Sequence, residues 1–69
     1  MSFSYKKLWK LLIDKNMRRK DLMQQTGITS STMAKLSKEQ PVSMTVIAKI
    51  CDALDCNVGD IVDYVKDDN

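Results

Sequence analysis

The sequence predicts an all-α protein, and three observations carry that expectation. Apolar residues recur at helical spacing along nearly the whole chain, no sustained stretch alternates apolar and polar residues, and only two glycines and one proline interrupt 69 residues. A chain this short is one domain, near the lower size limit at which a single core folds alone, and packed helices are the economical way to build it.

Five short helices are expected. Ser4 is placed to cap a first helix over about residues 5–15, where Tyr5, Leu8, Trp9 and Leu12 share a face and Lys6, Lys7 and Lys10 lie mostly on the other side. Leu11 and Ile13 make that helix more apolar than one face requires. A second helix opens at Arg18 or Arg19, buries Leu22 and Met23, and ends at Thr26 because Gly27 suits the left-handed turn that stops a helix. The third starts at Thr29, whose hydroxyl can accept from the backbone N–H of Ser31 or Thr32. Ile28 can pack on Met33 in the staple arrangement, with Met33 and Leu36 facing inward. Ser43 announces a fourth helix over about 44–54, which buries Ile47, Ile50, Cys51 and Leu54. Asn57 with Asp60 three residues on has capping-box spacing and predicts a fifth helix over about 58–65, with Val58, Ile61, Val62 and Val65 as its apolar stripe. The core of this single domain, residues 1–69, thus covers about 5–65, followed by a frayed tail at 66–69. The five methionines read as core filler, and Trp9 as a core or half-buried anchor.

A net charge of +2 conceals a split at Pro41. Residues 1–40 carry nine Lys or Arg against three Asp or Glu, whereas residues 41–69 carry two against six. That polarity suits one face meeting a polyanion, and equally an ordinary solvated surface. The chain has no His, and Cys51 and Cys56 form neither a CxxC nor part of a second ligand pair, so no metal site and no cofactor are expected. With no nucleophile beside a base and no phosphate loop, neither is an enzyme. No signal peptide or transmembrane run is visible, which leaves a cytoplasmic protein with reduced thiols as the expectation.

The stretch that carries function is "TGITSSTMAKLSK", residues 26–38, which places four weak helix formers at the start of a helix. With the preceding helix it forms two short helices joined by a turn of about three residues, a helix-turn-helix. Ser30, Ser31, Ala34, Lys35 and Lys38 fall at i, i+1, i+4, i+5 and i+8, one outward stripe. Small hydroxyl residues let a helix approach a nucleic-acid groove closely and bond to base edges or phosphates, and the Ala34 methyl can meet a thymine methyl.

The residues "NMRRKDLMQQTGITSSTMAKLSK" and "PVSMTVIAKICDALDCNVGDIVDY" resemble the Cro/repressor-type (Xre-like) helix-turn-helix family over nearly the whole chain, and the ending is similar to a subgroup of small single-domain bacterial regulators. The resemblance implies a five-helix bundle of the lambda-repressor-like DNA-binding type and a regulator of transcription on double-stranded DNA. It implies base contacts by Arg19, Ser30, Ser31, Ala34 and Lys35, and phosphate contacts by Arg18, Thr29, Lys38, Ser43 and Thr45. One such domain makes few base contacts, so a homodimer is expected, with half-sites about 34 to 36 Å apart. Its interface lies either on the first helix (Trp9, Leu11, Ile13) or at the end of the fifth (Tyr64, Val65).

The sequence departs from the family pattern in three places. The family usually caps its second helix with Ser or Thr and opens it with Gln, where this chain has Arg18 and Arg19. Two cations at a helix N-terminus cost roughly 0.3 to 1 kcal/mol each unless an anion sits there, and a DNA phosphate would supply one. Met23 stands where the family prefers Ala. The family's Arg and Glu pair between the first and third helices is replaced by Leu12 and Ser37, an exchange that need not weaken the fold. The competing expectation is a protein-interaction module, such as an antitoxin or adaptor, built on the same fold.

Overall fold

The computed structural model describes residues 2–66. Among them four α-helices carry the fold: α1 (Lys6–Asp14), α2 (Arg19–Thr26), α3 (Ser30–Ser37) and α4 (Met44–Leu54). Strand β1 (Ser2–Ser4) precedes them, and a 3₁₀ turn at Val58–Asp60 leads into strand β2 (Asp63–Val65). The two strands pair antiparallel, with Ser2 opposite Val65, Phe3 opposite Tyr64 and Ser4 opposite Asp63.

The core is a single cluster to which every helix contributes: Tyr5, Leu8 and Leu12, then Leu22, Ile28, Met33 and Leu36, then Ile47, Ile50 and Leu54, closed by Ile61. Burying each large aliphatic side chain contributes roughly 1.5 to 3 kcal/mol, and α2 packs on both α3 and α4 to make that burial possible. Ties between distant segments complete the frame. The Tyr5 hydroxyl donates to the Gln40 carbonyl at 2.8 Å, pinning the start of α1 to the loop after α3. Lys7 Nζ donates to the Gly59 carbonyl at 3.0 Å and pairs with Asp63 at 3.0 Å, holding α1 against the C-terminal segment.

Helix ends follow local chemistry. Ser43 Oγ accepts from the Val46 N–H at 3.2 Å, capping α4 as its sequence position implies. Glu39 takes a left-handed φ of 58°, and the Gln40 N–H returns to the Lys35 carbonyl at 2.9 Å, which closes α3. Asp55, also left-handed at φ 53°, closes α4, and the Cys56 N–H bonds to the Cys51 carbonyl at 3.1 Å. Both thiols are free and half-buried against the core.

The expected fifth helix is the main correction: the bundle has four helices rather than five. Asn57 and Asp60 do cap, with Asp60 Oδ2 accepting from the Asn57 N–H at 2.9 Å, but the turn they start ends after one round. Gly59 and the β-branched run Val58, Ile61, Val62 and Val65 are poor helix formers, and the strand Ser2–Ser4 offers residues 63–65 backbone partners instead. Of the predicted stripe Ile61 is fully buried and Val62 half-buried, whereas Val58 and Val65 are exposed. The same pairing overturns the expectation of no strands and relocates Ser4, which lies buried in β1 rather than at the helix cap position. Tyr5 stands at the cap of α1, and Ser4 Oγ takes only a long bond, 3.4 Å, from the Lys6 N–H. Met44, read as core filler, is 67% exposed because it opens α4 on the outside of the bundle. Met1 and residues 67–69, most of the expected frayed tail, lie outside the described residues.

Candidate nucleic-acid interface

Local chemistry between residues 22 and 32 sets the helix-turn-helix. Gly27 has φ 74°, the left-handed conformation a side chain disfavours, and its N–H bonds to the Met23 carbonyl at 2.8 Å to end α2. Thr26 bridges the turn: its hydroxyl donates to the Leu22 carbonyl at 2.7 Å and accepts from the Ile28 N–H at 3.3 Å. Ile28 and Met33 are both buried in the core, as the staple spacing requires, and this draws the chain back before α3 begins. Thr29 then caps α3, its oxygen accepting from the Thr32 N–H at 3.2 Å. Weak helix formers are tolerated at this start because the cap satisfies an orphan N–H.

All ten residues expected at DNA are exposed: Arg18, Arg19, Thr29, Ser30, Ser31, Ala34, Lys35, Lys38, Ser43 and Thr45. Ser30, Ser31, Ala34, Lys35 and Lys38 lie along one side of α3, opposite buried Met33 and Leu36. Within the described residues, none of the polar side chains on that stripe is engaged in a side-chain hydrogen bond or ion pair. Thr29 and Ser43 are committed as helix caps through their oxygens. The Ser43 hydroxyl proton has no acceptor among the described residues, while the Thr29 hydroxyl lies 3.2 Å from that of Thr32.

The two arginines stand apart in role. Arg18 is the cap residue of α2, and Asp21 reaches back to it: Asp21 Oδ2 accepts from the Arg18 N–H at 2.9 Å and pairs with its guanidinium at 3.4 Å. That backbone bond, then the side-chain bond, holds the Asp21 carboxyl below its ordinary range. Asp21 is therefore the anion at this helix start, so the protein itself meets the dipole without a phosphate. Arg19 folds back over α1. Its guanidinium carbon lies 3.9 Å from the Trp9 ring centroid, and Nη1 donates to Ser37 Oγ at 2.7 Å. Leu12 is buried in the core, so Ser37 takes an arginine of α2 rather than one of α1.

Sequence reasoning missed Asp21, Trp9 and Ser37 as parts of this site. Asp21 was within reach, since a carboxylate three residues after a cap is a capping-box signal. Trp9 and Ser37 meet Arg19 from ten and eighteen positions away, and no local pattern joins them.

A second surface lies beside the first. An apolar groove runs between β1 and the start of α4, lined by Phe3, Tyr5, Pro41, Val42, Met44, Ile47, Val58 and Val62. Tyr64, 56% exposed, packs edge-on against Phe3 with ring centroids 5.7 Å apart. On α1, Trp9 and Leu11 are half-buried and Ile13 alone is well exposed, at 73%.

Comparisons with known proteins agree with this geometry. The Cro/C1-type HTH DNA-binding domain model matches residues 7–67. A crystal structure of the transcriptional regulator VanUg is similar at 45% identity and a TM-score of 0.92, over 96% of this chain and 88% of that chain. No curated protein matches this chain. A match over nearly the whole length, a left-handed glycine at the turn and an outward α3 stripe converge: this chain belongs to the Cro/C1-type helix-turn-helix DNA-binding domain family.

Proposed function

We propose that the protein is a transcriptional regulator that binds double-stranded DNA sequence-specifically, with α3 in the major groove and two copies on paired half-sites. The observation that carries the reading is the α3 stripe, whose polar side chains are exposed and without partners among the described residues. Ser30, Ser31 and Lys35 supply donors and acceptors for base edges, Ala34 supplies a methyl-sized contact, and Arg19 stands beside them. Lys38 at the end of the stripe, and exposed Arg18, Thr29, Ser43 and Thr45, are assigned to phosphates, which fix register without reading sequence. The similarity to a transcriptional regulator at 45% identity supports the regulatory role.

The homodimer is supported by the apolar groove and by exposed Met44, Val58 and Tyr64 around it, which favour the C-terminal side over α1 as the interface. Among the described residues no helix is long and apolar enough to cross a membrane. We place the protein in the cytoplasm, where the DNA is.

The test is selection of bound duplexes from a random library, followed by sedimentation of the protein on the selected site. The expected result is an enriched, two-fold-related motif with two copies per site and affinity that falls steeply with salt. No enrichment together with no retention of any duplex at low salt would reject DNA binding. The same apolar groove would then favour a module that holds another protein.

A further inference from the structure

We infer that Trp9, on α1 and outside the helix-turn-helix, is a positioning residue that holds the Arg19 guanidinium ready for a DNA contact; the inference rests on the DNA-binding reading above. An arginine on a helix surface samples many rotamers, and ordering it on binding opposes association. Here the ordering is already done in the free protein. The Arg19 guanidinium lies on the Trp9 ring face, 3.9 Å from its centroid, where the ring quadrupole attracts the cation. Nη1 is fixed by Ser37 Oγ at 2.7 Å, so the planar group is held from below by α1 and from one side by the last turn of α3.

The platform is itself fixed, because Trp9 is half-buried and packs against the core cluster. Arg19 is exposed, and within the described residues its one side-chain hydrogen bond is from Nη1 to Ser37, so Nε and Nη2 are left without a protein acceptor and can serve as a two-donor fork. That fork suits either two phosphate oxygens or the edge of a guanine. Trp9 touches no DNA in this arrangement; it acts through Arg19.

A thermodynamic cycle separates this role from plain packing. Affinity for a duplex selected by the parent protein is measured by fluorescence anisotropy at fixed salt for the parent, Trp9→Leu, Arg19→Ala and the double variant. Trp9→Leu is expected to weaken binding about two- to fivefold, and Trp9→Phe, which keeps a ring face, to recover most of it. In the Arg19→Ala background Trp9→Leu should cost nothing further, because there is no guanidinium left to hold. An equal penalty with and without Arg19 overturns the inference, as does parental binding by Trp9→Leu. Should Trp9→Leu fail to fold, Arg19→Lys carries the test: it keeps the charge without the planar fork, and should bind closer to Arg19→Ala than to the parent. Parental affinity in Arg19→Lys then counts against Trp9 as a holder. If the parent binds no duplex, the DNA reading and this inference fall together, whereas a failed cycle on a binding parent overturns the inference alone.

Discussion

The molecule presents two exposed faces of opposite chemistry, separated by the short loop after α3. One is the α3 stripe, with hydroxyls and lysines that have no protein partner among the described residues. The other is the groove around Phe3, Val42 and Met44, where Tyr5 is the one lining side chain with a polar group, and its hydroxyl is bonded to Gln40. Unpaired donors and acceptors are satisfied by a polar surface such as the floor and walls of a DNA groove. An apolar patch is stabilised by removal from water against another apolar patch. The contrast teaches that the two faces suit surfaces of different chemistry. Tyr5 couples them mechanically, since it lines the groove and its hydroxyl donates to Gln40 in the loop that carries Ser43 toward the first face.

The contrast can be broken most severely from inside. Leu36 is fully buried and Lys35, its neighbour on α3, is exposed. Leu36→Ala should therefore destabilise the fold by about 2 to 5 kcal/mol, measured by urea denaturation, and remove both faces at once. A somewhat smaller loss is expected at the turn between α2 and α3. A Cβ at Gly27 would meet nothing within 4 Å, so the expected cost of Gly27→Val is mainly the strain of a β-branched residue at positive φ, roughly 1 to 2 kcal/mol. A melting temperature equal to the parent's would show that the left-handed conformation is not required.

Met44→Lys sharpens the comparison by altering the apolar face only. With 67% of Met44 exposed, the monomer should change by no more than about 0.5 kcal/mol in stability, while the dimer proposed for this face should be lost in sedimentation. An unchanged dimer would move the interface elsewhere. The smallest effect is expected in alkali. Burial, and then the neighbouring Cys51, push the Cys56 thiol up to about 11 from an ordinary 9.0. The folded state thus holds that proton more tightly than the unfolded chain does, so its contribution is complete below about pH 9 and is lost as pH rises toward about 11. Burial raises the Tyr5 hydroxyl in the same direction. Thermal melts from pH 8 to pH 11 in the presence of reductant should fall less steeply for Cys56→Ala than for the parent.

What was legible in the sequence is what is local. Thr29, Gly27 and Ser43 act within three or four residues of their partners, and the spacing of Met33, Leu36, Ile47, Ile50 and Leu54 repeats with the helix, so both α3 and its inward face could be placed. What was hidden is what closes over distance. Residues 63–65 pair with residues 2–4 from the far end of the chain, over strands too short to show a period of two, and the apolar spacing from 58 to 65 mimicked a helix stripe. The fold therefore has a small sheet where a fifth helix was expected. At the site, exposure agrees with the expected stripe in every position. Arg19 is the exception in arrangement, because its partners Trp9 and Ser37 come from two other helices.

The division of labour at the polar face can be measured directly by comparing Lys35→Ala with Arg18→Ala on a selected duplex and on a scrambled one. Both side chains are exposed, so helical spectrum and stability should hold in each. Lys35→Ala is expected to cost about 1 to 3 kcal/mol per half-site on the selected duplex and to narrow the gap between the two duplexes. Arg18→Ala is expected to weaken both duplexes alike and to reduce the salt slope by about one unit for each phosphate it no longer neutralises. If both variants bind both duplexes as tightly as the parent, α3 is not the reading element and the polar face has some other partner.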